Sequence, residues 1–114
     1  MKTTPHSILK LYASTTDKIG SKIFYEYIVH KAKDFGISGV TVYRGIMGYG
    51  LSSNISSSKF WELTEKLPVK IEMIDSTSKL EEFYTRIESD LEQMKKGCLA
   101  VIEPVMVKMH KSGN

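Results

Sequence analysis

The residues whose types and spacing could bind something stand together in the run Gly39-Val40-Thr41-Val42-Tyr43-Arg44-Gly45-Ile46-Met47-Gly48-Tyr49-Gly50. Glycines at 45, 48 and 50, directly after a β-rich stretch, let backbone N–H groups approach a ligand with no Cβ in the way, and Arg44 adds a permanent cation beside them. Such a group can cradle a phosphate or another anion, with Tyr49 standing between the last two glycines. The same glycines suit a sharp bend at the root of a long loop equally well. Their spacing matches neither the dinucleotide fingerprint nor the P-loop, since no Gly-Lys-Ser/Thr follows and no helix clearly begins.

Nothing comparable marks a catalytic centre. His6, His30 and His110 are scattered, His30 has no His or Cys four residues away, and no two carboxylates stand out as a buried pair. Glu26 and His30 have i,i+4 spacing, which a surface hydrogen bond explains. The hydroxyls from Ser52 to Ser58 come without a Gly-x-Ser-x-Gly elbow. Cys98 is alone in an apolar run, so the expectation is a buried, inert thiol with no intramolecular disulfide and no cysteine metal cluster. These residues point to a binding protein with no catalytic residues, metal or resident cofactor.

The elements that must hold the glycine run follow from periodicity. His6 to Ala13 reads as a first strand, rich in β-formers and bounded by Pro5 and a Ser-Thr-Thr cluster. From Ser21 to Phe35 the apolar residues Ile23, Phe24, Tyr27, Ile28, Ala32 and Phe35 recur at helical steps, with Gly36 where a left-handed cap belongs. Gly39 to Arg44 reads as a second strand. Val69 to Asp75 alternates with a period of two, placing Val69, Ile71 and Met73 on one face and Lys70 and Glu72 on the other. Ser76-Thr77-Ser78 offers a cap for a second helix through Leu80, Phe83, Tyr84, Ile87, Leu91 and Met94, closed by Lys95-Lys96-Gly97. Cys98 to Ile102 is a last strand ending at Glu103-Pro104, with Val105 to Val107 as its extension.

The order β-α-β, insert, β-α-β predicts an α+β, ferredoxin-like βαββαβ fold: a four-stranded antiparallel sheet with two helices on one face. Residues 1–114 are expected to form a single domain with a long flexible loop at about 45–66. That loop is serine-rich and ends in Lys59-Phe60-Trp61, the candidate partner-binding segment, whose two aromatics could equally anchor the loop on the core or on a neighbouring subunit. The uncovered sheet face is not all suited to water, because Ile8 and Tyr12 lie opposite in parity to Leu9 and Leu11, and self-association is the simplest cover.

Composition narrows the function classes. A 41% hydrophobic, 25% charged chain of 114 residues is an ordinary folded protein, and no apolar stretch approaches the roughly 20 residues that cross a bilayer. A cytoplasmic location is expected by default. The net charge of +3 is spread along the chain with two arginines, Arg44 and Arg86, which argues against nucleic-acid binding. The tail Lys108-Met109-His110-Lys111 offers either a phosphate contact or a frayed end, and the frayed end is favoured for its last residues.

The Thr41-Val42-Tyr43-Arg44-Gly45-Ile46-Met47-Gly48-Tyr49-Gly50 core resembles the signature of the uncharacterised PII-like signalling proteins, relatives of the PII nitrogen regulators. The resemblance runs from about Leu9 to Val107, taking in Phe24-Tyr25-Glu26-Tyr27, Leu67-Pro68-Val69 and Ile71-Glu72-Met73-Ile74-Asp75. It implies a homotrimer with its sheets lining the centre, and an adenine nucleotide, ADP or AMP, as effector in clefts between subunits. It further implies nucleotide contacts from Arg44, Gly45, Gly48, Tyr49 and Gly50, and a membrane transporter or an enzyme as the regulated partner. The turn after the first strand keeps Asp17 and Lys18 but has Thr15 and Ile19 where many relatives carry acidic and histidine residues. The second glycine-rich nucleotide loop of true PII proteins has no counterpart, because the second helix starts right after Asp75, and this argues against ATP binding in the PII manner. The alternative is a structural or adaptor trimer that works by protein contact without a nucleotide.

Overall fold

The computed structural model describes residues 4–51, 56, 57 and 66–113. Its main elements are strand β1 (His6–Ser14), helix α1 (Phe24–Phe35), strands β2 (Val40–Arg44) and β3 (Pro68–Ser76), helix α2 (Thr77–Gln93) and strand β4 (Leu99–Val105). The strands form one sheet in the order β2-β3-β1-β4 with every neighbour antiparallel, so the ferredoxin-like arrangement read from the sequence is the fold.

Alternation in the strands sorts the side chains. Leu9, Leu11, Val69, Ile71 and Met73 point under the helices and are buried, joined from the outer strands by Val40, Val42, Ala100 and Ile102. Phe24, Ile28 and Ala32 of α1 and Leu80, Phe83 and Ile87 of α2 close that core at three- and four-residue steps. Phe35 and Phe83 meet with ring centres 5.4 Å apart, and the Tyr27 hydroxyl donates to Asp90 at 3.0 Å, so the helices also grip each other.

Three boundaries differ from the sequence reading by more than one residue. Helix α1 starts at Phe24 rather than Ser21, because Lys18–Ile19 and Lys22–Ile23 pair as a tiny antiparallel hairpin. Gly20 has φ 61°, and among the described residues no other residue type has positive φ, the pattern of a tight turn with glycine first of its two central residues. Helix α2 ends at Gln93, since Met94 is extended (φ −63°, ψ 140°) rather than continuing to a glycine cap at 97. Strand β4 runs through Pro104 to Val105, which its edge position allows because an edge strand need not donate on both sides. At α1 the expected left-handed cap is present: Gly36 has φ 98°, and its N–H reaches the carbonyls of Ala32 and Lys33.

Candidate functional site

The glycine run lies where β2 leaves the sheet. Arg44 is the last β2 residue, opposite Val69, and the Gly45 N–H donates to the Pro68 carbonyl at 2.7 Å. A Cβ on Gly45 would lie 2.9 Å from Pro68 Cγ and 3.4 Å from the Pro68 carbonyl oxygen, and one on Gly48 would lie 3.3 Å from the same Cγ. Gly45 is therefore held to glycine by close approach to the proline that opens β3, and Gly48 packs tightly against the same ring. Because Pro68 holds the Gly45 amide, that residue offers a neighbouring ligand its missing side chain rather than a donor.

Beyond the bend, Met47 and Gly48 pair with Ser57 and Ser56 in a two-residue antiparallel ladder that the sequence reading did not anticipate. Its only local sign is a Ser-rich stretch of low β-propensity, so the partner was not legible. Lys59, Phe60 and Trp61 lie outside the described residues.

The returning end of the connection is fastened to the turn after β1. The Thr15 N–H donates to the Leu67 carbonyl at 2.8 Å, and the Leu67 N–H donates to Thr15 Oγ1 at 3.0 Å. The turn itself is built on Asp17, whose buried carboxylate accepts from the Ser14 N–H at 2.9 Å and whose carbonyl accepts from the Phe24 N–H at 2.8 Å. Sequence reasoning noted Thr15 and Asp17 but gave neither this structural role. Nearby, burial pushes the Cys98 thiol up to about 11, with the Asp17 carboxylate as the second cause. The half-buried Cys98 is in this respect the unreactive thiol expected.

Around the root, Tyr43, Ile46, Met47, Tyr49 and Leu51 are exposed large apolar residues, Tyr49 to 76%. Large apolar side chains left open along one short run of chain are suited to contact with another molecule. The Arg44 side chain is exposed and takes part in no ion pair among the described residues, whereas Lys70 lies 4.6 Å from the Tyr43 ring centre. The structure thus brings Arg44, Gly45, Gly48 and Tyr49 to one bend, next to Pro68, with Gly50 just beyond in the chain. Chemically, the bend presents a guanidinium and an exposed aromatic ring beside backbone stripped of side chains, a set able to meet an anion attached to a flat ring. Among the described residues no group of three or more His, Cys, Asp or Glu side chains is placed to hold a metal, and no helix is long and apolar enough to cross a membrane.

Comparison with known proteins bears on both fold and site. Residues 6–107 match the DUF190 family, described as "Uncharacterized ACR". A UPF0166 protein of Aquifex aeolicus is 34% identical over 88 residues, covering 77% of this chain and 84% of the relative. A UPF0166 protein of Methanocaldococcus jannaschii is 41% identical over 68 residues, 60% of this chain and 62% of the relative. Among solved structures, a PII-like signaling protein from Thermus thermophilus superposes with a TM-score of 0.64 at 19% identity, covering 94% of this chain and 93% of the other. CPII from Thiomonas intermedia, bound to ADP, AMP and acetate, superposes at 0.63 with 13% identity, covering 96% and 94%. The GlnK–ATP complex of B. subtilis superposes at 0.56 with 11% identity, covering 89% and 84%. At these identities the solved structures speak for the fold, and the family follows from the sequence match: the chain belongs to the DUF190 family, the UPF0166 proteins, and has the PII-like fold.

Proposed function

We propose that this protein is a PII-like regulator, and not an enzyme, that binds ADP or AMP at the root of its 45–66 loop. On this reading residues 1–114 act as one domain in a cytoplasmic homotrimer. The cleft between subunits holds the nucleotide, and the loop carrying Lys59, Phe60 and Trp61 meets a partner, a membrane transporter or an enzyme. The observation that carries the reading is the bend at Gly45 and Gly48, pinned against Pro68 with Arg44 and the exposed Tyr49 beside it. Arg44 suits the phosphates, Tyr49 suits the base, and the glycines leave room for both. The likeness to CPII, a protein solved with ADP and AMP, supports the choice of nucleotide.

The clamp between Thr15 and Leu67 gives the binding a route to the loop, because both ends of the loop are fixed within a few residues of the proposed contacts. A nucleotide preferring one arrangement of this root would shift the loop population by its difference in affinity and by no more.

A thermal-shift titration with AMP, ADP and ATP tests the reading. A ligand that binds only the folded state adds about 2.7 kcal/mol at a hundredfold excess over Kd, a rise of several degrees in Tm. ADP or AMP should give that rise in the native protein and lose it in Arg44→Gln and Tyr49→Ala, whose exposed side chains can be changed without disturbing the core. Glycine variants are poorer probes because a side chain at 45 collides with Pro68 whether or not a ligand binds. The exposed Ile46, Met47, Tyr49 and Leu51 also suit the second reading, an adaptor trimer working by protein contact alone. No shift with any of the nucleotides at millimolar concentration would favour it.

A further inference from the structure

A second concave surface lies on the helix side and shares no residue with the glycine-bearing bend. It is a groove of about 490 Å³ running along α1, lined among others by Lys22, Ile23, Glu26, Tyr27, Lys31 and Asp34. The ammonium groups of Lys22 and Lys31 lie 5.8 Å and 5.5 Å from the centre of the same Tyr27 ring. Neither lysine is in an ion pair among the described residues. Both exposed ammonium groups are thus gathered around one half-buried ring without such a partner, which leaves them available to an anion entering the groove. The Tyr27 hydroxyl is committed to Asp90 at 3.0 Å, which fixes the ring and makes it a rigid floor together with Ile23.

We propose that this groove binds a phosphorylated polyol, a sugar phosphate. Its phosphate is held by Lys22 and Lys31, its carbon skeleton rests on Ile23 and Tyr27, and its hydroxyls donate to Glu26 and Asp34. The carboxylates are the reason for choosing a polyol. A bare inorganic anion would be repelled by Glu26 and Asp34, whereas a ligand with hydroxyls turns both into acceptors. A volume near 490 Å³ is in the range of small-molecule sites and exceeds what inorganic phosphate alone would fill.

Two-dimensional amide NMR of the full chain, titrated with glucose 6-phosphate, inorganic phosphate and glucose, tests this. Saturable shifts in the amides of residues 21–34 are expected with glucose 6-phosphate, at an affinity at least about tenfold above that for inorganic phosphate or glucose. Lys22→Gln and Lys31→Gln should each weaken it about tenfold, the loss of one charge-assisted contact, while Lys33→Gln, on the same helix but outside the groove lining, should not. Absence of saturation, equal affinity for inorganic phosphate, or an equal loss in Lys33→Gln would overturn the proposal. Because the readout is confined to residues 21–34, it stands or falls separately from nucleotide binding around residues 44–50.

Discussion

At the scale of single residues, the side chains that looked reactive serve the frame. Cys98 sits just before the last strand, beside the turn built on Asp17, and its thiol is raised from 9.0 to about 11, chiefly by burial and then by the Asp17 carboxylate. The consequence for stability has a definite sign. Below pH 9 the thiol is protonated in both folded and unfolded chains and contributes nothing. As pH rises from about 9 toward 11 the unfolded chain gives up a proton that the folded chain retains, so folding is progressively disfavoured. Tyr84, raised mainly by burial, and Lys10, raised mainly by its hydrogen bond to Glu103, act in the same alkaline direction. The urea midpoint should therefore fall between about pH 8 and pH 10.5, and Cys98→Ala should remove part of that fall while leaving the rest. An identical fall in the variant would mean that the thiol titrates normally and that the other groups carry the whole effect.

At the scale of elements, the decisive contact is the close approach of the chain leaving β2 to the start of β3. Gly45 and Gly39 flank the same strand, yet a Cβ at 45 would press to 2.9 Å on the Pro68 ring, while at 39 nothing lies within 4 Å. The proline ring cannot swing aside as a long side chain would. Gly45→Ala should cost about 1–3 kcal/mol in chemical denaturation, and Gly39→Ala should be near neutral or slightly stabilising through the unfolded state. Equal effects at the two positions would show that the bend gives way and is not pinned. This pair also shows what the sequence could tell. The strands and helices were legible because their apolar residues recur at periods of 2 and 3.6, and Gly36 marked the end of α1 by its type alone. The bend was legible only as a cluster of glycines. That Gly45 answers to Pro68, and Thr15 to Leu67, depends on residues 23 and 52 positions apart, which no local pattern links. The hairpin at Lys18–Ile23 was hidden for the opposite reason: Ile23 and Phe24 continue the helical spacing of α1, and the chain departs from it only because Gly20 permits a tight turn.

At the scale of the whole molecule, the sheet has one face under helices and one face bare. Register puts three rows of side chains across the bare face: Tyr43, Lys70, Tyr12 and Leu99; then Thr41, Glu72, Lys10 and Val101; then Ile74, Ile8 and Glu103. Apolar and charged groups are mixed, and the charges are matched within the face, with Lys10 paired to Glu103 and Lys70 lying 3.4 Å from Glu72. A face built for water would not set Tyr12, Tyr43, Ile74, Leu99 and Val101 in the open, and a purely apolar face would not carry internally paired charges. The pattern suits contact with another copy: the apolar residues gain by burial, and the paired charges can be covered without leaving a lone ion, provided each keeps its partner. The consequence can be tested at Ile8, which stands between Ile74 and Glu103 and away from any lysine in its row. Ile8→Asp adds a carboxylate beside Glu103, whose nearby cation Lys10 is already engaged, so an assembly covering this face would have to bury one negative charge in excess, at several kcal/mol per subunit. Light scattering at micromolar concentration should give a trimer for the native chain and a monomer for the variant, with the monomer still folded because Ile8 points away from the core. A variant that stays trimeric would mean that subunits meet elsewhere. The clefts proposed for the nucleotide would then have to be sought along the sheet edges, β2 or β4.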